Sequence, residues 1–125
     1  MLNLKNNAKY FVLLPVISAT LFAGLANAET IKTKNFSVKI TRNCAEGNVT
    51  CNKLTYVGKD LKTGKSIRLN GKTIHTKGAD GRTPGRFLGY EFRNSQYLYR
   101  VTADNKLQVF KSGKLILQEQ GTLVD

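Results

Sequence analysis

Residues 86–117 read RFLGYEFRNSQYLYRVTADNKLQVFKSGKLIL, from Arg86 to Leu117. Apolar and polar side chains alternate along this stretch with a period of two, and turn-forming residues interrupt the alternation at short intervals. That is the signature of half-buried strands joined by tight turns, and no helical period competes with it. Taking Asn94-Ser95 as a two-residue turn sets Phe92 opposite Tyr97, Tyr90 opposite Tyr99 and Leu88 opposite Val101. A loop at Ala103-Asp104-Asn105, with Asn105 accepting a left-handed conformation, sets Val101 opposite Leu107 and Tyr99 opposite Val109. Both registers gather the apolar partners on one face, so these three strands form a meander. Ser112-Gly113 then turns the chain into Leu115-Ile116-Leu117, which is apolar on both faces and calls for cover on both or for a partner interface.

The same spacing continues upstream. Phe36, Val38 and Ile40 alternate with Ser37, Lys39 and Thr41, and Leu54, Tyr56 and Gly58 repeat the pattern. A turn over residues 61–64 sets Asp60 opposite Lys65, Gly58 opposite Ile67 and Tyr56 opposite Leu69. Asn70-Gly71 predicts a further hairpin turn, which would pair Leu69 with Lys72, Ile67 with Ile74 and Ser66 with His75. Lys77 to Arg86, rich in glycine and holding Pro84, reads as one long irregular loop joining the two meanders. The whole predicts an all-β fold, a small antiparallel barrel or two-layer sandwich of seven to eight short strands.

Residues 1–28 stand outside this pattern and read as a secretory signal peptide. Lys5 and Lys9 precede an apolar run from Tyr10 to Leu25, and Ala26-Asn27-Ala28 forms a small-residue cleavage site. The run spans 16 residues and is broken by Pro15 and Gly24. A membrane-spanning helix needs about 20, so no span is expected after cleavage. Residues 29–125 would then be a single β-domain, periplasmic or secreted. The full chain carries a formal charge of +12; without the signal, 97 residues hold 18 basic groups against 8 acids, a charge of +10.

A domain this small has a marginal core, and an oxidising compartment would allow Cys44 and Cys51 to staple it. The two enclose Ala45-Glu46-Gly47-Asn48-Val49-Thr50, which turns easily, so a structural disulfide is expected. Zinc would need more ligands than two thiols and the single histidine, and the redox motif has a shorter spacing.

Catalytic patterns are weak. Residues 58–66 imitate a phosphate-binding loop but have one residue too many between the glycines, and a strand pattern follows where that motif needs a helix. His75 is the only histidine. A Ser66–His75 dyad would lack an acidic orienter, and nearby Arg68 would oppose an imidazolium, so His75 reads as a partly exposed strand residue. The acids are scattered: Asp60 is expected to pair with Lys65, and Glu91 with Arg100 across its hairpin. No metal site, cofactor site or enzyme activity is expected.

Charge remains. An excess of cations favours association with polyanions, and the expected ligand-binding set is Arg68, Lys77, Arg82 and Arg86, the last three on the glycine-rich loop. Sequence-specific nucleic-acid binding is not expected, because the aromatic residues fall mainly on core faces. The expected partner is an anionic envelope polymer or an acidic protein.

The runs Leu54-Thr-Tyr-Val-Gly58, Lys62-Thr-Gly-Lys-Ser66, Leu69-Asn-Gly-Lys-Thr73 and Arg86-Phe-Leu-Gly-Tyr-Glu-Phe92 resemble small exported all-β proteins from Gram-negative bacteria whose function is uncharacterised. The resemblance implies an envelope location and no particular activity. Periplasmic lysozyme inhibitors are also small disulfided β-barrels, but no inhibitory loop matches residue by residue, and a strongly positive chain would be repelled by a basic lysozyme. The function expected is therefore binding through a basic loop, with the alternative of an inhibitor or immunity-like partner of an envelope-directed hydrolase.

Overall fold

The computed structural model describes residues 27–124, and nine antiparallel strands make up their regular structure. In chain order these are β1 (Asn27–Lys32), β2 (Phe36–Arg42), β3 (Leu54–Asp60), β4 (Ser66–Lys77), β5 (Pro84–Asn94), β6 (Tyr97–Thr102), β7 (Lys106–Lys111), β8 (Lys114–Gln120) and β9 (Thr122–Val124). The expected signal peptide lies outside the described residues except for Asn27 and Ala28, which begin β1.

The sheet is a nearly closed barrel rather than a sandwich. Its order is β9-β1-β2-β3-β4-β5-β6-β7-β8. β9 continues β8 after Gly121 and pairs with β1, from Thr122 opposite Lys32 to Val124 opposite Thr30, so the last strand meets the first. At that corner the Gly121 N–H donates to the Asn105 carbonyl at 2.8 Å. A side chain on Gly121 would press on Ile31.

Alternation along the strands fills the interior with Ile31, Val38, Ile40, Leu54, Tyr56, Phe92, Val101 and Leu107, all essentially buried. Burying each such side chain contributes about 1.5–3 kcal/mol. Tyr56 is central, its ring centroid 5.0 Å from that of Phe92 and 5.5 Å from that of Tyr99.

Much of the expected register is present. Gly58 faces Ile67, Tyr56 faces Leu69, Val101 faces Leu107 and Tyr99 faces Val109. Asn105 is left-handed at φ 68°, and the β7–β8 turn holds Ser112 at 49° and Gly113 at 83°. The Cys44–Cys51 disulfide is formed. Its loop is fastened to β4: the Cys51 N–H donates to Thr73 Oγ1 at 3.0 Å, and the Thr73 N–H donates to the Cys51 carbonyl at 2.8 Å.

Four local expectations are corrected. Asn70-Gly71 makes no turn, because β4 runs straight through it and Gly71 lies opposite both Leu54 and Phe92. A Cβ on Gly71 would collide with the Glu91 carbonyl and the Phe92 ring, so the glycine serves close strand packing. Two expected strands thereby become one, and His75 pairs with Phe87 rather than Ser66. In the β5–β6 hairpin the turn is Ser95-Gln96, which slides the pairing by two to match Phe92 with Tyr99 and Tyr90 with Val101. A slide of two keeps every side chain on its face, so patterning alone does not distinguish the two registers.

The stretch from Lys77 to Arg86 is not a long loop either. Lys77 ends β4 opposite Pro84, and only residues 78–83 turn. The Asp80 carboxylate folds back to accept the N–H groups of Arg82 (2.9 Å) and Thr83 (2.8 Å) as well as the Thr83 hydroxyl. Finally, the Asp60 carboxylate accepts the Lys62 N–H at 2.8 Å and the Thr63 N–H at 3.3 Å, capping its turn; no Asp60–Lys65 ion pair forms among the described residues. The expected Glu91–Arg100 pair is present at 3.5 Å.

Candidate functional site

Four cations stand in a regular diagonal on the outer surface of the first four strands. Lys32 lies opposite Ser37, two residues before Lys39; Lys39 lies opposite Val57, two before Lys59; and Lys59 lies opposite Ser66, two before Arg68. The buried side chains of these strands hold the other parity, so all four cations point outward and are exposed. Diagonal neighbours in a sheet are about 7–8 Å apart. That is no more than about one screening length at physiological salt, so their potentials add.

Among the described residues no carboxylate stands beside the diagonal on these four strands: the outward positions around it are Thr30, Ser37, Thr41, Thr55, Val57, Ser66 and Asn70. The two ion pairs among the described residues, Arg100–Glu91 and Lys106–Asp104, both lie in the β5–β8 half. Glu91 and Asp104 are thus each matched by a cation, and no described carboxylate forms an ion pair with the four cations of the diagonal.

The structure divides the expected ligand-binding set. Lys77, Arg82 and Arg86 come together, exposed, at the tip of the β4–β5 hairpin, where the Arg86 N–H donates to Thr76 Oγ1 at 2.8 Å. Arg68 is nine residues back along β4 from Lys77. At about 3.3 Å per residue the separation is roughly 30 Å. Arg68 belongs instead with Lys39 and Lys59, which sequence reasoning did not single out. The signal was there in the polar parity of β2 and β3, but the register between them depends on the irregular disulfide loop.

His75 has no catalytic partner among the described residues. Its ring nitrogens are shielded from solvent without a hydrogen-bond partner, and its ring meets Phe87 edge-on at 5.6 Å. No group of three or more potential metal ligands occurs among the described residues. At the disulfide-loop end, Glu29, Glu46, Arg42 and Tyr90 share a cavity of about 440 Å³. There the Tyr90 hydroxyl donates to Glu29 at 3.3 Å. Burial first, and then the Glu29 charge, push the Tyr90 phenol up to about 12.

A second cavity, also about 440 Å³, opens beside β8. Phe36, Ile67, Val109, Ile116 and Leu117 make it apolar, Tyr56, Tyr97 and Tyr99 line its interior, and Lys65 stands among the lining residues. Burial pushes the phenols of Tyr56 and Tyr99 above their usual range, and each is raised further by a neighbouring tyrosine.

Comparison with known protein families, curated proteins and solved structures gave no match. Among the described residues no helix is long and apolar enough to cross a membrane. The disulfide fits an oxidising compartment outside the cytoplasm.

Proposed function

We propose that this chain is an exported envelope β-domain, periplasmic or secreted, that works by binding an anionic polymer or acidic partner. The single observation that carries the reading is the diagonal of Lys32, Lys39, Lys59 and Arg68, beside which no carboxylate stands on these strands among the described residues. A rigid sheet fixes the spacing of these cations before any ligand arrives, so little ordering cost is added on binding. Lysine and arginine on neighbouring strands offer an extended polyanion successive contacts, each weak alone and additive along the chain. The cluster Lys77, Arg82 and Arg86 at the β4–β5 tip extends the positive surface to another part of the barrel. The acids that could compete are engaged elsewhere, Asp60 and Asp80 in capping their own turns. Retention on heparin and on a purified anionic wall polymer across a salt gradient tests the reading. Alanine at Lys39, Lys59 and Arg68 is expected to bring elution to clearly lower salt. Elution unchanged by those substitutions would refute it.

A further inference from the structure

The edge of β8 is unpartnered where it matters most. β8 hydrogen-bonds to β7 on one side, and among the described residues no strand pairs with the other. The β1–β2 hairpin covers that side only as far as Glu119, whose carboxylate Asn35 at the hairpin tip grips through its backbone N–H (3.1 Å) and side-chain amide (2.6 Å). Residues 114–118 run on past this tip.

The same segment is Leu115-Ile116-Leu117. Leu115 and Ile116 remain 45% and 53% exposed. A bulge sets Val109 opposite Leu117 and Phe110 opposite Leu115, leaving Ile116 without an opposing residue and at the lining of the cavity. Across that cavity stand Phe36 and the β3–β4 hairpin, with no strand of the described residues between them and residues 114–118. A row of free backbone donors and acceptors thus runs beside an apolar cavity large enough for a side chain.

We infer that the free edge of β8 and the adjoining cavity form a strand-addition site for an extended peptide with an apolar side chain flanked by acidic ones. The peptide backbone pairs with β8, and alternate side chains point toward the cavity. The charge of its neighbours comes from the rim: Lys65 lines the cavity, Lys62 lies in the β3–β4 turn, Lys34 precedes Asn35 at the hairpin tip and Lys111 pairs with Lys114 where β8 begins, while the acids Asp60 and Glu119 already accept hydrogen bonds from their own chain. A second copy of this chain would bring the same cations to the seam, so it is the poorer occupant. An acyl chain would fill the cavity but leave the free backbone groups of β8 unpaired. This site is separate from the cationic face, and its success or failure leaves the polyanion reading untouched.

The probe is a fluorescein-tagged peptide of seven residues, the length of β8, alternating glutamate and valine around a central phenylalanine. Saturable binding is expected, weakened at least about tenfold by Ile116→Lys, by alternate N-methylation of the peptide, and by lysine in place of its glutamates. Leu88→Lys, at an exposed apolar position on β5, controls for added surface charge and is expected to leave binding unchanged. Absence of saturable binding, equal binding of the N-methylated peptide, or displacement of the peptide by dodecyl phosphate would overturn the proposal. So would sedimentation as a dimer that Ile116→Lys dissociates.

Discussion

Asn35 and Glu119 lie 84 positions apart in sequence and join the two ends of the barrel through a pair of hydrogen bonds, 3.1 Å from the Asn35 backbone and 2.6 Å from its side chain. Burial alone would raise the Glu119 carboxyl, but the donors from Asn35 and Thr33 and the charge of Lys34 outweigh it and leave the group below its ordinary 4.5. A carboxyl lowered on folding stabilises the fold above its unfolded pKa, and that contribution is lost as pH falls through the folded value. Glu119→Gln is expected to cost about 1–2 kcal/mol at neutral pH, and to cost progressively less in acid. Urea unfolding at neutral and acidic pH checks both, and a loss that does not depend on pH would contradict the assignment.

Gly71 lies in strand, with no room for a Cβ between β4 and the Glu91 carbonyl. Gly71→Ala should destabilise by about 1–3 kcal/mol, the usual range for overpacking a well-filled site. Thermal unfolding of this one variant measures the loss, and a change within about 0.5 kcal/mol, the range usual at open surface positions, would contradict the close packing.

The disulfide loop is small, and closing it removes limited chain entropy. In the loop-entropy description reduction is expected to cost about 2.5 kcal/mol. Denaturant unfolding with and without reductant measures it, and Thr73→Val should loosen the same loop, because Thr73 Oγ1 receives the Cys51 N–H.

Alkali should act through the tyrosines. Tyr90 is raised to about 12 in the folded chain by burial and by Glu29, and Tyr56 and Tyr99 are raised by burial and by neighbouring tyrosines. A phenol raised on folding contributes stability that is complete below its unfolded value, near 10, and is lost as pH rises through the folded value. Stability should therefore fall from about pH 10 upward. Phenolate absorbance in the native protein should show Tyr56, Tyr90 and Tyr99 ionising above the ordinary phenol range.

Strand existence and much of the register were legible in the sequence because period-two alternation and turn chemistry agree there. The Asp60–Lys65 turn aligned Tyr56 with Leu69, and the left-handed Asn105 aligned Val101 with Leu107. In β4 distant packing overrides a local signal. Asn70-Gly71 has strong turn chemistry, but Phe92 and Leu54 on the flanking strands hold it extended. β1 and β9 gave little local pattern and are strands because the barrel closes through them. The cationic diagonal was illegible for the same reason, since Lys32, Lys39, Lys59 and Arg68 become neighbours only once four strands are aligned.

The salt dependence of heparin affinity tests the cationic face most directly. It would be measured for the wild type, for alanine at Lys39, Lys59 and Arg68, and for alanine at Lys77, Arg82 and Arg86. If the face binds the polyanion, the first triple variant loses affinity, and the slope of log affinity against log salt falls by about one unit for each cation removed. The second triple variant would change less. Slopes that match the wild type in the first variant would contradict binding through this face.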